Sequence, residues 1–320
     1  MAPHYLEFER PIADLEAKID ELSKLSESAG PGTLDDEVGA LRARAQELRI
    51  EAYANLDAWQ KTLVSRHPDR PHFVDYVEAL IEEFQELRGD RKFGDDQAIM
   101  GGIGRFRGRA VMVMGHEKGR DTATRVKHNF GYARPEGFRK AVRLMEMAER
   151  FKLPVLSFVD TTAAYPGVSS EERGVAEAIA RSTEKSLMLE VPMIAVVTGE
   201  GGSGGALGIA CGSRVLMLEH AVYSVIPPEG ANSILWRGAR TPAEAARAMK
   251  ISAQELLGMK IIDRIIPEPP GGAHADREAA MAAVADALEG ELKGLEGLSA
   301  TELKARRAER FYAIGRSGLG

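Results

Sequence analysis

The chain has 320 residues, enough to bury a substantial core, and carries 42 Lys and Arg against 48 Asp and Glu, a net charge of −6. That mild acidity offers no whole-chain electrostatic footprint for nucleic acid or an anionic membrane. A single cysteine, Cys211, excludes an intramolecular disulfide and a CxxC zinc site, and is read as a small buried apolar residue.

The opening stretch MAPHYLEFERP lacks the basic start and apolar core of a signal peptide, and no apolar run approaches the ~20 residues that span a bilayer. A cytoplasmic protein with neither nucleic-acid nor membrane partners is expected. Ile12, Leu15, Ile19, Leu22 and Leu25 recur at three- and four-residue steps, and Leu34, Val38, Leu41, Ala45, Leu48 and Ala52 repeat the pattern. Between them SESAGPG, residues 26–32, cannot continue a helix. Residues 1–65 are therefore expected to form a helical hairpin ahead of a main domain over 66–320. Its apolar stripe is narrow, which implies packing on the main body or on another chain.

A third helix is expected over 73–87, then a polar, glycine-broken loop at 88–96. Aliphatic or β-branched runs follow at 110–114, 155–160, 193–197, 215–218 and 222–226, with helical stretches at 135–151, 171–190 and 242–249. This alternation indicates an α/β domain with a mostly internal sheet. Glu171, Glu172 and Arg173 are expected where a helix begins, because carboxylates suit that end of the peptide dipole. PEPPGGAH, residues 267–274, reads as a loop, and a helix is expected over 276–292. Ser299 and Glu302 have capping-box spacing ahead of a last helix whose Arg306, Arg307 and Arg310 are expected to form a solvated basic face.

The densest signal is GEGGSGG, residues 199–205, with five glycines in seven positions directly after an apolar run. Glycine admits positive φ and close backbone approach, and the first amides of a helix starting near Gly204 lack intrahelical partners and favour an anion. Three readings stand. Gly199, Gly201 and Gly204 fit GxGxxG, with Glu219 twenty residues beyond Gly199, as in a dinucleotide-binding unit, although the helix available before Gly212 is short for one. A P-loop is excluded, since no Lys-Ser or Lys-Thr follows the glycines. A tight turn with close helix-to-strand packing accounts for two or three of them. The third reading is a receptor for a negative oxygen that exists only during reaction. Two further strand-to-helix junctions support it, TTAAYPGVSSEERG at 161–174 and IPPEGANSILW at 226–236.

In order along the chain, GHEKGR, NFG, PEGFRKAVRLMEMAERFKLPV, FVDTTAAYPGVSSEERG, GEGGSGGALGIA, PPEGANSILW and IIDRIIPEPPGGAH closely resemble the alpha subunits of bacterial acetyl-CoA carboxylase carboxyltransferases. The likeness runs from EFERPIADLEAKID to LKARRAERF. It implies the crotonase-like fold of ββα units and an α2β2 heterotetramer with a beta subunit that carries a zinc ribbon. It also implies transfer of a carboxyl group from carboxybiotin, presented by the biotin carboxyl carrier protein, to acetyl-CoA, giving malonyl-CoA for fatty acid synthesis. No covalently bound cofactor or metal is implied for this chain. By the same resemblance Gly204 and Gly205 supply a backbone oxyanion hole for the ureido oxygen of biotin. Ala163, Ala164, Tyr165, Gly167, Gly201, Gly202, Glu229 and Gly230 are then expected to line the substrates. Lys118, Arg120, Arg125, Lys127 and His128 form a locally basic segment. Arg125 and Lys127 are candidates for docking the phosphates of CoA, with solvated loop charge as the alternative and a structural role expected for His128.

Two stretches depart from the family pattern. DTPGAYPG becomes DTTAAYPG through Thr162 and Ala163, and SPEGCASILW becomes PPEGANSILW through Pro227, Ala231 and Asn232. Alanine dislikes positive φ, and Pro227 lacks an N–H. A catalytically silent assembly subunit of the same complex therefore stays open, beside a dinucleotide-binding enzyme.

Overall fold

The computed structural model describes residues 4–29 and 34–316. Helices α1 (Arg10–Ala29) and α2 (Asp35–Ala54) pack as a hairpin through Ile19, Val38 and Ala45, with Leu15, Leu22 and Leu41 against them. Residues 30–33, the Gly-Pro part of the expected turn, lie outside the described residues, and Ser26 donates to Asp35 across the gap at 3.2 Å. Helix α3 (Ala58–Ser65), capped by Asp57 accepting from the Gln60 N–H, brings the chain onto the main body. There Ala58 and Trp59 meet Val222, Ala246 and Ile251.

The helix expected over 73–87 stops half way. Helix α4 (Phe73–Leu80) gives way to an edge strand, β1 (Glu82–Glu86), through an extended Ile81 and a left-handed Glu83. Glu and Gln favour helix locally, but here they pair antiparallel with β2 (Ile99–Phe106), a strand absent from the sequence reading. A methyl on Gly102 would stand 2.0 Å from the Gln85 carbonyl oxygen, and one on Gly104 2.4 Å from Ile81. The glycines that blur the apolar pattern of β2 are what let β1 lie so close.

Strand β3 (Arg109–His116) pairs antiparallel with β2 and begins the parallel part of the sheet. After it come α5 (Thr122–Lys127), α6 (Pro135–Phe151), β4 (Val155–Thr161), α7 (Val168–Glu172), α8 (Val175–Met188), β5 (Met193–Gly202) and α9 (Ser203–Ala210). The chain continues with β6 (Arg214–Leu218), β7 (Val222–Ser224), α10 (Pro228–Trp236), α11 (Pro242–Met249), α12 (Ala253–Gly258), β8 (Arg264–Ile266), α13 (Arg277–Gly294) and α14 (Ala300–Ala313). Strand order is β1-β2-β3-β4-β5-β6-β8, with β7 pairing the last residues of β5.

Both sheet faces are covered. Phe158 of β4 meets Phe73 and stacks on Tyr76, with ring centroids 5.2 Å apart, on the α4 side. Its neighbour Ser157 points the other way and donates to the Ile209 carbonyl of α9 at 2.7 Å. Fully burying an aromatic or leucine-sized side chain contributes about 1.5–3 kcal/mol, which is why such continuous apolar strands settle in the interior.

Two further expectations need correction. The 171–190 helix is two, divided where Gly174 takes φ 74, so Glu171 and Glu172 end α7 instead of starting a helix. Arg307 is not solvated: it is 1% exposed and donates to the carbonyls of Leu187, Leu189 and Val191 and to Ser213 Oγ. Ser299 accepts from the Glu302 N–H as the capping-box spacing predicts. Among the described residues, no helix is long and apolar enough to cross a membrane.

Candidate active site

Strands β4 and β5 run in step as far as the pair Val159 and Val197, then resume at Thr161 and Gly201, so β5 bulges opposite Asp160. The Asp160 carboxylate fills the bulge and accepts the Glu200 N–H at 2.9 Å. It lies directly on Gly199, where a methyl would stand 2.4 Å from Oδ1. Gly201 is pressed on the Tyr223 ring, and Gly202 on the Thr162 carbonyl, where a methyl would meet oxygen at 1.7 Å. Gly205 packs on the peptide between Ala163 and Ala164. Close packing thus accounts for four of the five glycines, more than the two or three expected. Gly204 alone has room, with Ile179 at 3.4 Å as the nearest neighbour of a methyl there.

The bend itself falls between Gly202 and Ser203, which takes φ 53, a left-handed conformation that costs a non-glycine residue about 1 kcal/mol or more. Helix α9 starts there. As the second and third residues of α9, Gly204 and Gly205 carry N–H groups that have no i−4 partner within the helix. Gly204 is partly exposed and Gly205 buried.

Of the expected lining residues, Ala163 and Ala164 touch this bend directly and Glu229 is joined to it through Arg66. Ala163 and Ala164 lie against Gly205, while the Tyr165 N–H donates to the Ala133 carbonyl and its ring takes the Arg134 guanidinium at 4.9 Å. Gly167 turns under the same ring. Glu229, in the first turn of α10, pairs with Arg66 at 2.6 Å, and Gly230 sits against Ile226. A cavity of about 200 Å³ beside β5 is lined by Arg66, Arg70, Lys118, Arg125, Asp160 and Glu200, among others.

The basic segment does not act as one patch. Lys118 is taken by Asp160 at 2.6 Å, Arg120 pairs with Asp75, and buried His128 meets the Gln97 carbonyl at 2.7 Å as a structural residue. Arg125 reaches the cavity, its Nε donating to the Gly119 carbonyl at 3.3 Å, and Lys127 is exposed on α5 outside that lining. Asp160, Glu200 and Arg66 were missed by the sequence reading. Two acids bracketing small-residue junctions were a visible signal for the first two; nothing in the sequence brings Arg66 to them.

Both departures have local explanations. Ala163 is not among the positive-φ residues, so its methyl carries no backbone strain. The Thr162 hydroxyl donates to Glu200 at 3.2 Å. Pro227 is the N-cap of α10 and Pro228 its first residue, positions where an N–H has no intrahelical role. Ala231 is buried, and Asn232 Oδ1 accepts the Arg240 N–H at 3.1 Å. Cys211 is buried as expected, its thiol pushed up to about 11 chiefly by that burial.

The dinucleotide reading fits poorly. Gly199 and Gly201 lie within β5 and not in a turn, α9 spans only eight residues, and Glu219 accepts the Glu268 N–H at 3.2 Å instead of facing the bend.

Comparison with known proteins gives the family and the fold. Residues 5–315 match the family described as acetyl co-enzyme A carboxylase carboxyltransferase-like. The chain is 79% identical over 319 residues to the acetyl-coenzyme A carboxylase carboxyl transferase subunit alpha of Phenylobacterium zucineum, and 68% identical to that of Caulobacter vibrioides, with the full length of each chain covered. Among solved structures it resembles a chain of a Pseudomonas malonate decarboxylase hetero-tetramer in complex with coenzyme A, with TM-score 0.56, 17% identity, and 69% and 89% of the two chains covered. It also resembles transcarboxylase 12S, with TM-score 0.53 and 18% identity, covering 68% of this chain and 42% of that one. The fold is the crotonase-like fold of the carboxyltransferases. From the first helix to the last, the chain belongs to the acetyl co-enzyme A carboxylase carboxyltransferase-like family.

Proposed function

We propose that the chain is the alpha component of an acetyl-CoA carboxylase carboxyltransferase. It works with a zinc-ribbon beta subunit in an α2β2 assembly and moves a carboxyl group from carboxybiotin on a carrier protein to acetyl-CoA, yielding malonyl-CoA in the cytoplasm. Full-length relatives named for that activity and the glycine bend between β5 and α9 support the reading.

Carboxybiotin supplies the carboxyl group, and negative charge collects on its ureido oxygen as that group leaves. The part of this chain is electrostatic. The N–H groups of Gly204 and Gly205 are held in the first turn of a helix, where they have no intrahelical partner, and donate to that oxygen as its charge develops. One such donor is worth roughly 2.7 to 4 kcal/mol in a well-studied oxyanion hole, because a fixed dipole needs no reorganisation during reaction. The loop carrying Ala163, Ala164, Tyr165 and Gly167 forms one wall of the site. Gly201 and Gly202, packed against that loop, line the substrates together with Glu229 and Gly230, and Arg125, which reaches the cavity, is the nearer candidate for the phosphates of CoA, with Lys127 outside it.

The carrying observation is the pair of first-turn amides of α9, those of Gly204, which has room around it, and of Gly205 beside it. Mixing the chain with a beta subunit, carboxybiotin-loaded carrier and acetyl-CoA tests it: malonyl-CoA forms only when all are present. A complex that assembles without carboxyl transfer would select the silent-subunit reading.

A further inference from the structure

Charge ties the three strand-to-helix junctions together. Glu200, near the end of β5, accepts from Arg66 Nε at 2.8 Å and from Thr162 Oγ1 at 3.2 Å, and lies 3.5 Å from Lys118 Nζ. Arg66 turns its remaining nitrogens to Glu229 at the start of α10. Lys118 pairs in addition with Asp160 at the end of β4. One carboxylate from each junction therefore meets two cations, Arg66 from the C-cap of α3 and Lys118 from the segment after β3. Burial alone would raise the pKa of Glu200, but Lys118 and Arg66 hold it below the usual carboxylate range. The acid stays ionised and the cluster stays bonded near neutral pH.

The backbone at this place holds itself poorly. The β4–β5 ladder is interrupted beside Asp160, Ser203 is left-handed, and the first amides of α9 have no partner within the helix. We propose that Arg66 is a positioning residue for the glycine bend: by gripping Glu200 and Glu229 together it sets the β5–α9 turn against the Thr162 loop and the head of α10. Thr162, the departure from the usual family proline, contributes a hydroxyl to the same grip. The inference rests on the proposed carboxyl transfer, and it makes a helix of the N-terminal region an adjuster of the reaction site.

The test compares Arg66→Met and Arg66→Lys in the full chain by two readouts. Amide hydrogen exchange over residues 199–206 should quicken about tenfold in Arg66→Met while α13 keeps its wild-type rate. In the assembly with beta subunit and loaded carrier, kcat should fall about tenfold with the KM for acetyl-CoA unchanged, and Arg66→Lys should recover part of both effects. Wild-type exchange over 199–206 in Arg66→Met overturns the proposal. So does a uniform rise that includes α13 and α14, which marks a merely structural role, or an unchanged kcat. If the wild-type assembly makes no malonyl-CoA, the functional reading fails while the exchange result still decides the positioning.

Discussion

The Cα of Gly205 lies on the peptide that joins Ala163 to Ala164: a methyl there would stand 2.5 Å from the Ala163 carbonyl carbon and 2.5 Å from the Ala164 nitrogen. Backbone atoms of a packed loop cannot swing aside as a side-chain tip can. Gly205→Ala is expected to displace the loop and destabilise the chain by about 1–3 kcal/mol. Gly204→Ala meets only Ile179 at 3.4 Å and gains helix propensity, so its change should stay within about 0.5 kcal/mol. Urea denaturation of the two variants checks this, and equal losses would contradict the packing.

Arg307 is a buried cation without a buried anion. Burial pushes its pKa down to about 10, and its guanidinium gathers three carbonyls and a hydroxyl around the ends of α8 and β5. Arg307→Met strands those acceptors in a dry place and is expected to cost about 2–4 kcal/mol. Arg307→Lys should recover less than half, because one ammonium cannot span the same set. Denaturant midpoints report both, and a neutral Arg307→Met would show that the acceptors find other partners.

Acid should weaken the fold through its buried histidines, opposed only in part by Asp96, which burial raises to about 6 and whose charge penalty is relieved as pH falls through that value. His67 and His274 stack with ring centroids 3.7 Å apart, and His220 lies close by against Tyr53. Burial depresses all three, His274 to about 3. The unfolded chain takes up protons below about pH 6.5 that the folded chain refuses, so stability is lost as pH falls from there toward 3. Each histidine adds a slope of about 1.4 kcal/mol per pH unit within its window. Burial would raise Glu268, but Arg70 holds it at about 2, so its contribution is present above about 4.5 and is lost only below that. Denaturation free energies at pH 7.5, 6 and 5 should fall in that order, with a shallower slope in His274→Gln. A flat profile down to pH 5 would contradict the neutral cluster.

Arg125 reaches the cavity and Lys127 does not, which separates two residues the sequence treated alike. Arg125→Glu should raise the KM for acetyl-CoA about fivefold, the equivalent of roughly 1 kcal/mol for one charge-assisted contact. Lys127→Glu should move it less, and both effects should shrink in high salt. Steady-state kinetics at two ionic strengths decides between docking and solvated charge.

Much of the fold was legible where one local rule governs. Helix α6 and helix α11 coincide with the expected 135–151 and 242–249, because each opens with proline and carries an amphipathic stripe. The cores of β3, β4, β5 and β6 stood out as continuous apolar runs. What escaped depended on distant partners. Strand β1 has helix-favouring residues and exists because β2 presents glycines to it. The three-residue β8 is too short to show any period. At the site, the glycine bend was visible, but the reason for most of its glycines was not, since Asp160, Thr162, Ala163 and Tyr223 approach them from other elements. Arg66 joins Glu200 across 134 positions, a pairing no spacing rule encodes.

The most direct measurement is malonyl-CoA formation by the wild-type chain and by Gly204→Val, each mixed with beta subunit, carboxybiotin-loaded carrier and acetyl-CoA. A Cβ at 204 meets only the Ile179 side chain, at 3.4 Å, so a β-branched residue there is expected to crowd the approach to the first-turn amides. The expected result is normal assembly with turnover lowered about 100-fold, the scale of one lost oxyanion donor. Wild-type turnover in Gly204→Val would take the bend out of the reaction, and an assembled but inert wild-type complex would contradict the enzymatic reading itself.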